Sequence, residues 1–165
     1  MLNIRLNFMI AALSMTTIAN ASPQYLSSDV MQFDNTGICE NCDLSNSKNL
    51  LCTASADLEG ANLTNASFGG DACNLEKSIF SDAQMTSASV SGANLSSATF
   101  SNAYLEDTNF SNSDLSGVDF TGAIFKDVDF YFANLCHAQI TQEQLDNSEM
   151  NEYTIMPNCH HYQRG

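Results

Sequence analysis

The sequence is poor in basic residues. Its 165 residues include five Lys and Arg against nineteen Asp and Glu, which gives a formal net charge of −14 at pH 7. A chain this acidic is repelled by nucleic acids and by anionic membrane surfaces. We therefore expect neither of them as a partner.

Proline is scarce as well. The two prolines, Pro23 and Pro157, flank the middle of the chain and leave it uninterrupted. A proline supplies no backbone N–H to a strand ladder and is confined to its edges. The long stretch without proline is therefore compatible with a continuous ladder of main-chain hydrogen bonds.

The pattern that fills this stretch has a period of five residues. Apolar residues recur at every fifth position, and two places before each stands a residue no larger than valine. Neither the 3.6-residue period of a helix nor the two-residue period of a strand fits. The pattern predicts a solenoid that turns a corner at every repeat, with both positions facing inward. The predicted repeat centres are Leu75, Phe80, Met85, Val90, Leu95, Phe100, Leu105, Phe110, Leu115, Phe120, Phe125, Phe130, Leu135 and Ile140.

Residue types also recur twenty positions apart, which makes four repeats per coil. Like residues are then predicted to stack in successive coils, about 4.8 Å apart. The remaining positions are mostly Asn, Asp, Ser, Thr and Gly, which suit turns. The predicted core stacks are Leu75, Leu95, Leu115 and Leu135, and Phe80, Phe100 and Phe120.

Segments such as Ala56-Asp57-Leu58, Ala93-Asn94-Leu95 and Ala133-Asn134-Leu135 resemble the pentapeptide-repeat proteins. The resemblance covers roughly residues 44–140 and implies an all-β fold, a right-handed quadrilateral β-helix. It implies no single function, since the family includes DNA mimics that bind a type II topoisomerase in the cytoplasm. Because cytoplasmic relatives often dimerise through their C-terminal ends, it also implies that this chain could pair with itself there.

Breaks in the period predict the limits of the solenoid, which we place at residues 37–140. Seven residues separate Phe68 from Leu75, so Gly69-Gly70-Asp71 is expected to hold a two-residue bulge. After Ile140, a Thr followed three residues later by Gln resembles a capping box, which predicts a short helix. Residues 141–165 are then a C-terminal cap and tail.

The N-terminus carries a secretion pattern. Arg5 precedes an apolar stretch and the small-x-small triplet Ala19-Asn20-Ala21, so residues 1–21 are predicted to be a cleaved signal peptide. No cysteine follows directly to accept a lipid, so no membrane anchor is expected afterwards. Residues 22–36 would form a polar lead-in, and the mature chain would be periplasmic or secreted. An uncleaved amphipathic leader is the alternative.

Six cysteines in an exported chain predict disulfides, because those compartments are oxidising. We favour pairing Cys136 with Cys159, which would pin the tail. A link between Cys52 and Cys73 is also compatible with neighbouring coils, but Cys73 could equally be a free core thiol. The candidates are Cys39, Cys42, Cys52, Cys73, Cys136 and Cys159.

Two alternatives concern metal and redox chemistry. Cys39 and Cys42 have the spacing of half a zinc site or of a redox pair. Cys159-His160-His161 could complete the zinc site, but it belongs at the opposite end of the solenoid. No helical pattern follows Cys42 to favour a redox pair, and His137 is expected to be a solvated surface residue. We therefore predict no metal and no cofactor.

Outward apolar residues interrupt the polar surface at Tyr104, Ile124, Tyr131 and Phe132. They are either an interaction patch or a surface covered by the tail, through Tyr153, Ile155 or Met156. No catalytic grouping is evident, and a shallow rod has no pocket that excludes water. The sequence thus predicts an exported, non-enzymatic scaffold that binds a protein partner or itself. The alternative is a cytoplasmic DNA mimic, favoured by the high density of acids.

Overall fold

The computed structural model describes residues 27–69 and 73–163. Its middle is a β-solenoid in which each residue before a repeat centre bridges, in parallel, to the residue twenty positions further on. Four such columns of bridges run along the coils, so each coil has four sides. The bridges Asn94 to Asp114, Thr99 to Asp119, Tyr104 to Ile124 and Asn109 to Asp129 represent the four columns.

Regular helices and strands are short and few in the described residues. Most columns are single bridges, because each straight segment is only two or three residues long before the chain turns. Two parallel pairs, β1 with β2 and β3 with β4, are long enough to form strands. In chain order the elements are α1 Ser28–Thr36, β1 Tyr104–Glu106, β2 Ile124–Lys126, β3 Val128–Asp129, α2 Gln142–Asp146 and β4 Ser148–Glu149.

The core consists of stacked repeat centres. The rings of Phe80 and Phe100 are parallel, with centroids 4.6 Å apart, and Phe120 continues the stack 5.4 Å beyond Phe100. Phe110, from the opposite side of the coil, meets Phe100 edge to face at 5.3 Å. The predicted Leu and Phe stacks are fully buried. Ile140 differs from the other centres because it is only partly covered.

Each corner is a tight turn. The backbone N–H of Ala98 donates to the carbonyl of Leu95 at 2.9 Å, and the third residue of this turn, Ser97, has φ of 58°. A positive φ at that position is the mark of a type II turn, which suits glycine and short polar residues. This geometry explains why the last place in most repeats is Ser, Asn, Asp or Gly.

Asn and Asp precede repeat centres because their side chains complete the turn. Asp119 Oδ1 accepts a hydrogen bond from the N–H of Thr121 at 2.8 Å, and Asn94 Oδ1 does the same for Ser96 at 3.1 Å. The bonds from Thr121 hold the pKa of Asp119 below its usual range. One side-chain oxygen therefore binds an N–H that the turn itself leaves without a partner.

The first coils are irregular. Bridged residues lie nineteen positions apart between Ile38 and Asp57, and twenty-two apart between Asp57 and Ile79. The longer step agrees with two extra residues after Phe68. The bulge predicted at Gly69-Gly70-Asp71 itself falls largely outside the described residues.

The N-terminal end of the core is covered by α1. The polar lead-in predicted over residues 22–36 is therefore a helix over most of its described part. Ser27 caps it by accepting from the N–H of Val30 at 3.2 Å, and Phe33 packs edge to face on Phe68 at 6.1 Å. The predicted signal peptide, residues 1–21, lies outside the described residues. Within 27–69 and 73–163 no helix is long and apolar enough to cross a membrane.

The coil does not stop at residue 140. Thr141 caps α2 with both bonds of the predicted capping box, and α2 then occupies one side of a further coil, burying Leu145 twenty residues after Phe125. β4 returns to the ladder beside β3, and Ile155 bridges Asn134. Ladder pairing thus continues beyond the predicted boundary, because α2 replaces a repeat of the same length.

A hairpin closes the described chain. Ile155 and His161 form an antiparallel bridge, and the N–H of Met156 donates to the carbonyl of His160 at 2.8 Å. This hairpin carries Cys159 and Tyr162, so it ties the end of the chain to the last coils.

Candidate binding surface

The six cysteines form three disulfides: Cys39 with Cys42, Cys52 with Cys73, and Cys136 with Cys159. The last is the pairing favoured from the sequence, and it fastens the hairpin to the solenoid. Cys73 is not a free core thiol. Since the thiolate is the metal ligand and the nucleophile, none of the six is available for zinc in this state.

His137 is exposed, as expected from the sequence, and it lies against the last disulfide. Its Nε2 is 3.6 Å from Cys159 Sγ. Cys136, His137 and Cys159 bring three donor atoms within 4.8 Å of one another. Because the two sulfurs are bonded to each other, this group offers a metal only the imidazole.

The predicted patch divides into two parts. Tyr104 and Ile124 are neighbours in β1 and β2, as their twenty-residue spacing suggested. The Tyr104 hydroxyl donates to Glu106 at 2.8 Å, which raises the pKa of the tyrosine. Lys126 binds the same carboxylate and lowers its pKa. A paired charge therefore borders this part, and Ile124 is the apolar side chain that stays exposed, at 57%.

Phe132 anchors the second part and departs from the repeat. It occupies the third place of its turn with φ of 61°, yet its bulky side chain is disfavoured there. Its ring is 52% exposed and stacks on Tyr153, with centroids 5.2 Å apart and planes 8° from parallel. Tyr153 is itself 56% exposed. The tail therefore touches the patch and enlarges it, but does not hide it.

Tyr153 reaches Phe132 because the last coil contains one extra residue. The bridge from Asn134 to Ile155 spans twenty-one positions, where the coils below span twenty. Asn151 holds the widened turn, since its Oδ1 accepts from the N–H of Tyr153 at 3.1 Å and of Phe132 at 3.3 Å. A single insertion thus displaces an aromatic residue onto the surface.

A groove of about 670 Å³ lies beside this stack. It is lined by Tyr131, Met150, Asn151, Glu152, Tyr153, Tyr162 and Gln163. Three of these are tyrosines from separate segments: the last regular coil, the widened turn and the hairpin. We call Tyr131, Phe132, Tyr153 and Tyr162 the terminal aromatic corner.

The surroundings of the corner are acidic. Residues 127–163 contain six Asp and Glu and no Lys or Arg. Glu149 accepts a hydrogen bond from the Tyr131 hydroxyl at 2.8 Å, and Glu152 lines the groove with its carboxylate exposed. Lys126, just before this segment, is bound to Glu106. The groove lining contains neither histidine nor cysteine, so it holds no nucleophile paired with an imidazole base.

Half of this corner was not predicted from the sequence. Tyr131 and Phe132 stand out because they replace small polar residues of a regular repeat. Tyr153 and Met150 were expected only as apolar residues of the terminal cap. Glu152 and Tyr162 gave no signal, because the period of five ends before them. The extra residue lies between the bridged residues Glu149 and Ile155, and no repeat pattern in the sequence marks it.

Comparisons with known proteins support the repeat assignment. Residues 71–102 and 103–142 match the model of the pentapeptide repeats, in eight copies. A pentapeptide repeat protein from the Arabidopsis thaliana thylakoid lumen is 26% identical, with a TM-score of 0.52 over 66% of this chain and 72% of its own. The plasmid-mediated fluoroquinolone resistance protein QnrB1 is 20% identical, with a TM-score of 0.55 over 70% of this chain and 61% of its own. No curated protein sequence matches.

Proposed function

The chain belongs to the pentapeptide-repeat proteins, and from that premise we propose that it is exported and acts without catalysis, as a scaffold that binds another protein through the terminal aromatic corner. The observation that carries this proposal is the exposed stack of Phe132 on Tyr153. Aromatic residues are enriched at the centres of protein interfaces, where they fill pockets of the partner. An exposed stack beside a groove is the kind of anchor that such an interface uses.

The backbone at Phe132 adds to this support. Elsewhere in the regular coils the same turn position holds a polar residue or glycine, as at Asn112 one coil below. A bulky residue in the left-handed region costs folding free energy, and such residues cluster at functional sites. The core does not need an exposed aromatic ring at this position for its packing. A role in binding therefore accounts for Phe132.

Export is proposed from the leader pattern together with the cysteines. All six cysteines of the chain are paired in the structure. Disulfides form and persist in oxidising compartments, whereas the cytosol keeps thiols reduced. A chain with three disulfides and a predicted signal peptide is therefore best suited to the periplasm or the extracellular space.

A second candidate is a DNA mimic that binds a type II topoisomerase in the cytoplasm. The excess of nineteen acidic over five basic residues favours it, because closely spaced carboxylates on a rod resemble the charge of a duplex. The leader pattern and the disulfides argue against it. The two candidates therefore differ first in compartment and thiol state.

The test is the intact mass of the native protein from separated cell fractions, alkylated with and without prior reduction. We expect an exported species that starts at Ser22 and takes up alkyl groups on its six cysteines only after reduction. A full-length cytoplasmic species with six reactive thiols would overturn export, and inhibition of a topoisomerase would then be assayed.

The binding surface is tested separately by photo-crosslinking in the compartment where the protein is found. A photoreactive phenylalanine replaces Tyr153 in one variant and Thr121, an exposed residue on a different column, in the control. We expect the variant at position 153 to form a discrete protein adduct that the control does not form. Equal adducts from both positions would contradict the corner as the contact surface.

A further inference from the structure

We propose that the terminal aromatic corner recognises a cation, namely the Arg or Lys side chains of a basic segment in the partner. This inference rests on the proposed function, because it specifies the chemistry of the partner that binds there. A positive charge over the face of an aromatic ring is attracted by the ring's quadrupole. Tyr131, Tyr153 and Tyr162 place three rings along one groove.

The carboxylates agree with such a ligand. Glu152 lies in the groove wall, and Glu149 lies beside it, bound to the Tyr131 hydroxyl. Among the described residues from 127 to 163 there is no Lys or Arg, and Lys126 is bound to Glu106, while Arg164 lies outside the described residues. An incoming guanidinium would therefore meet a carboxylate and aromatic rings at once, and both attract a positive charge.

The same charges disfavour two other occupants. A second copy of this chain would bring the same acidic surface against the corner, and like charges facing each other oppose association. An uncharged apolar segment would remove Glu152 from water without offering it a partner, which carries a desolvation cost. A basic segment of another protein is the occupant that leaves no carboxylate of the groove unpaired.

Binding is measured by fluorescence polarisation with labelled nona-arginine, nona-lysine and nona-glutamate peptides, on the mature chain with its disulfides intact. We expect both cationic peptides to bind and the anionic one not to bind. Affinity should fall with rising salt but persist in part, because the aromatic contact is screened less than the exposed charges. No binding of either cationic peptide would overturn the inference.

Paired variants separate a site from diffuse attraction to an acidic protein. Tyr153→Leu keeps an apolar side chain but removes the ring, and Tyr104→Leu does the same on another column. Tyr153→Leu should lower the affinity for nona-arginine roughly two- to fivefold, the range of an exposed cation–π contact. Tyr104→Leu should change the affinity less than twofold. An unchanged affinity for Tyr153→Leu would overturn the inference.

A second pair tests the charge. Glu152→Gln should weaken nona-arginine binding severalfold, whereas Glu59→Gln, an exposed acid in the first coils, should not. Equal losses from the two would show that net charge alone attracts the peptide and would overturn a defined cation site.

The experiment also separates this inference from the proposed function. If the photo-crosslink from position 153 to a native protein persists while neither cationic peptide binds, the corner is an interface but not a cation site. If size-exclusion chromatography with light scattering shows a dimer that Phe132→Ser and Tyr153→Ser dissociate, the occupant is a second copy, and the cation inference is wrong.

Discussion

The regular coils and the terminal aromatic corner use the same turn for different purposes. At Ser97 and Asn102 the left-handed residue is short and polar, which is what the backbone favours. At Phe132 the backbone has the same φ, near 60°, but the side chain is one that this conformation disfavours. The coil geometry is therefore imposed by the ladder and the core, and a corner can carry a side chain that the turn itself does not favour.

The two regions also differ in how far their aromatic rings are buried. Phe100 is fully buried between two stacked rings, whereas Phe132 and Tyr153 are more than half exposed. Burial of a phenylalanine side chain contributes roughly 1.5–3 kcal/mol to folding. The exposed pair contributes far less to stability, which leaves it free to contribute to binding.

The largest effect is expected from breaking the core of the regular coils. Phe100→Ala removes a ring that touches Phe80, Phe110 and Phe120, and we expect it to lower the free energy of unfolding by about 3–5 kcal/mol. Urea unfolding followed by circular dichroism measures this change. Tyr153→Ala is the control at the corner, expected within about 1 kcal/mol of the parent. Similar losses from the two would contradict the division between core and corner.

A smaller effect is expected at the turn hydrogen bonds that sustain the coils. Asp119→Ala leaves the N–H of Thr121 without its acceptor, and should cost about 1 kcal/mol. Asp119→Asn keeps an oxygen in the same place, as Asn94 does at the equivalent position of another repeat, and should be close to neutral at pH 7. Unfolding midpoints of the three chains measure the difference.

The same carboxyl predicts a pH dependence. Since the pKa of Asp119 is lowered in the folded chain, its contribution is complete above the unfolded pKa of about 3.9 and is lost as the pH falls through the folded value. The stability of the parent should therefore decline more steeply below about pH 4 than that of Asp119→Asn. If the stability of the two chains fell equally with pH below about 4, folding would not favour the ionised form of Asp119.

The solenoid could be predicted because its signal is repeated. Every regular coil supplies four apolar centres and four small residues at fixed spacing, so one atypical residue does not hide the period. Twenty-residue recurrence aligned Tyr104 with Ile124, and a capping box located α2. Disulfide pairing of Cys136 with Cys159 followed from the expectation that the tail returns to the last coil.

The ends could not be predicted in the same way, because each occurs once. Nothing repeats in Ser28–Thr36, so Val30 and Phe33 did not stand out as the buried face of a short helix. At the other end α2 has the length of a repeat but lacks its pattern of a small residue two places before an apolar centre. The pattern therefore does not show that the coil continues. The groove depends on one extra residue near Tyr153 and on a hairpin. Neither follows from a local pattern, because the register of the last coil is set by its pairing with the coil below.

The smallest change in stability, and the sharpest test of the comparison, is expected at Phe132 itself. Phe132→Asn relieves a left-handed phenylalanine, worth about 1–2 kcal/mol, and loses the stack on Tyr153, worth about 0.5–1.5 kcal/mol. The two effects oppose each other, so the unfolding free energy should change by less than about 1 kcal/mol. Ser97→Phe is the reciprocal control: it introduces the same strain between Lys77 and Gly117, where no ring is available to stack, and should destabilise by about 1 kcal/mol. Urea unfolding gives both values, and nona-arginine binding should weaken for Phe132→Asn alone. A marked loss of stability in that variant would mean that Phe132 stabilises the folded chain. Its presence at the corner would then be explained by folding and not by binding.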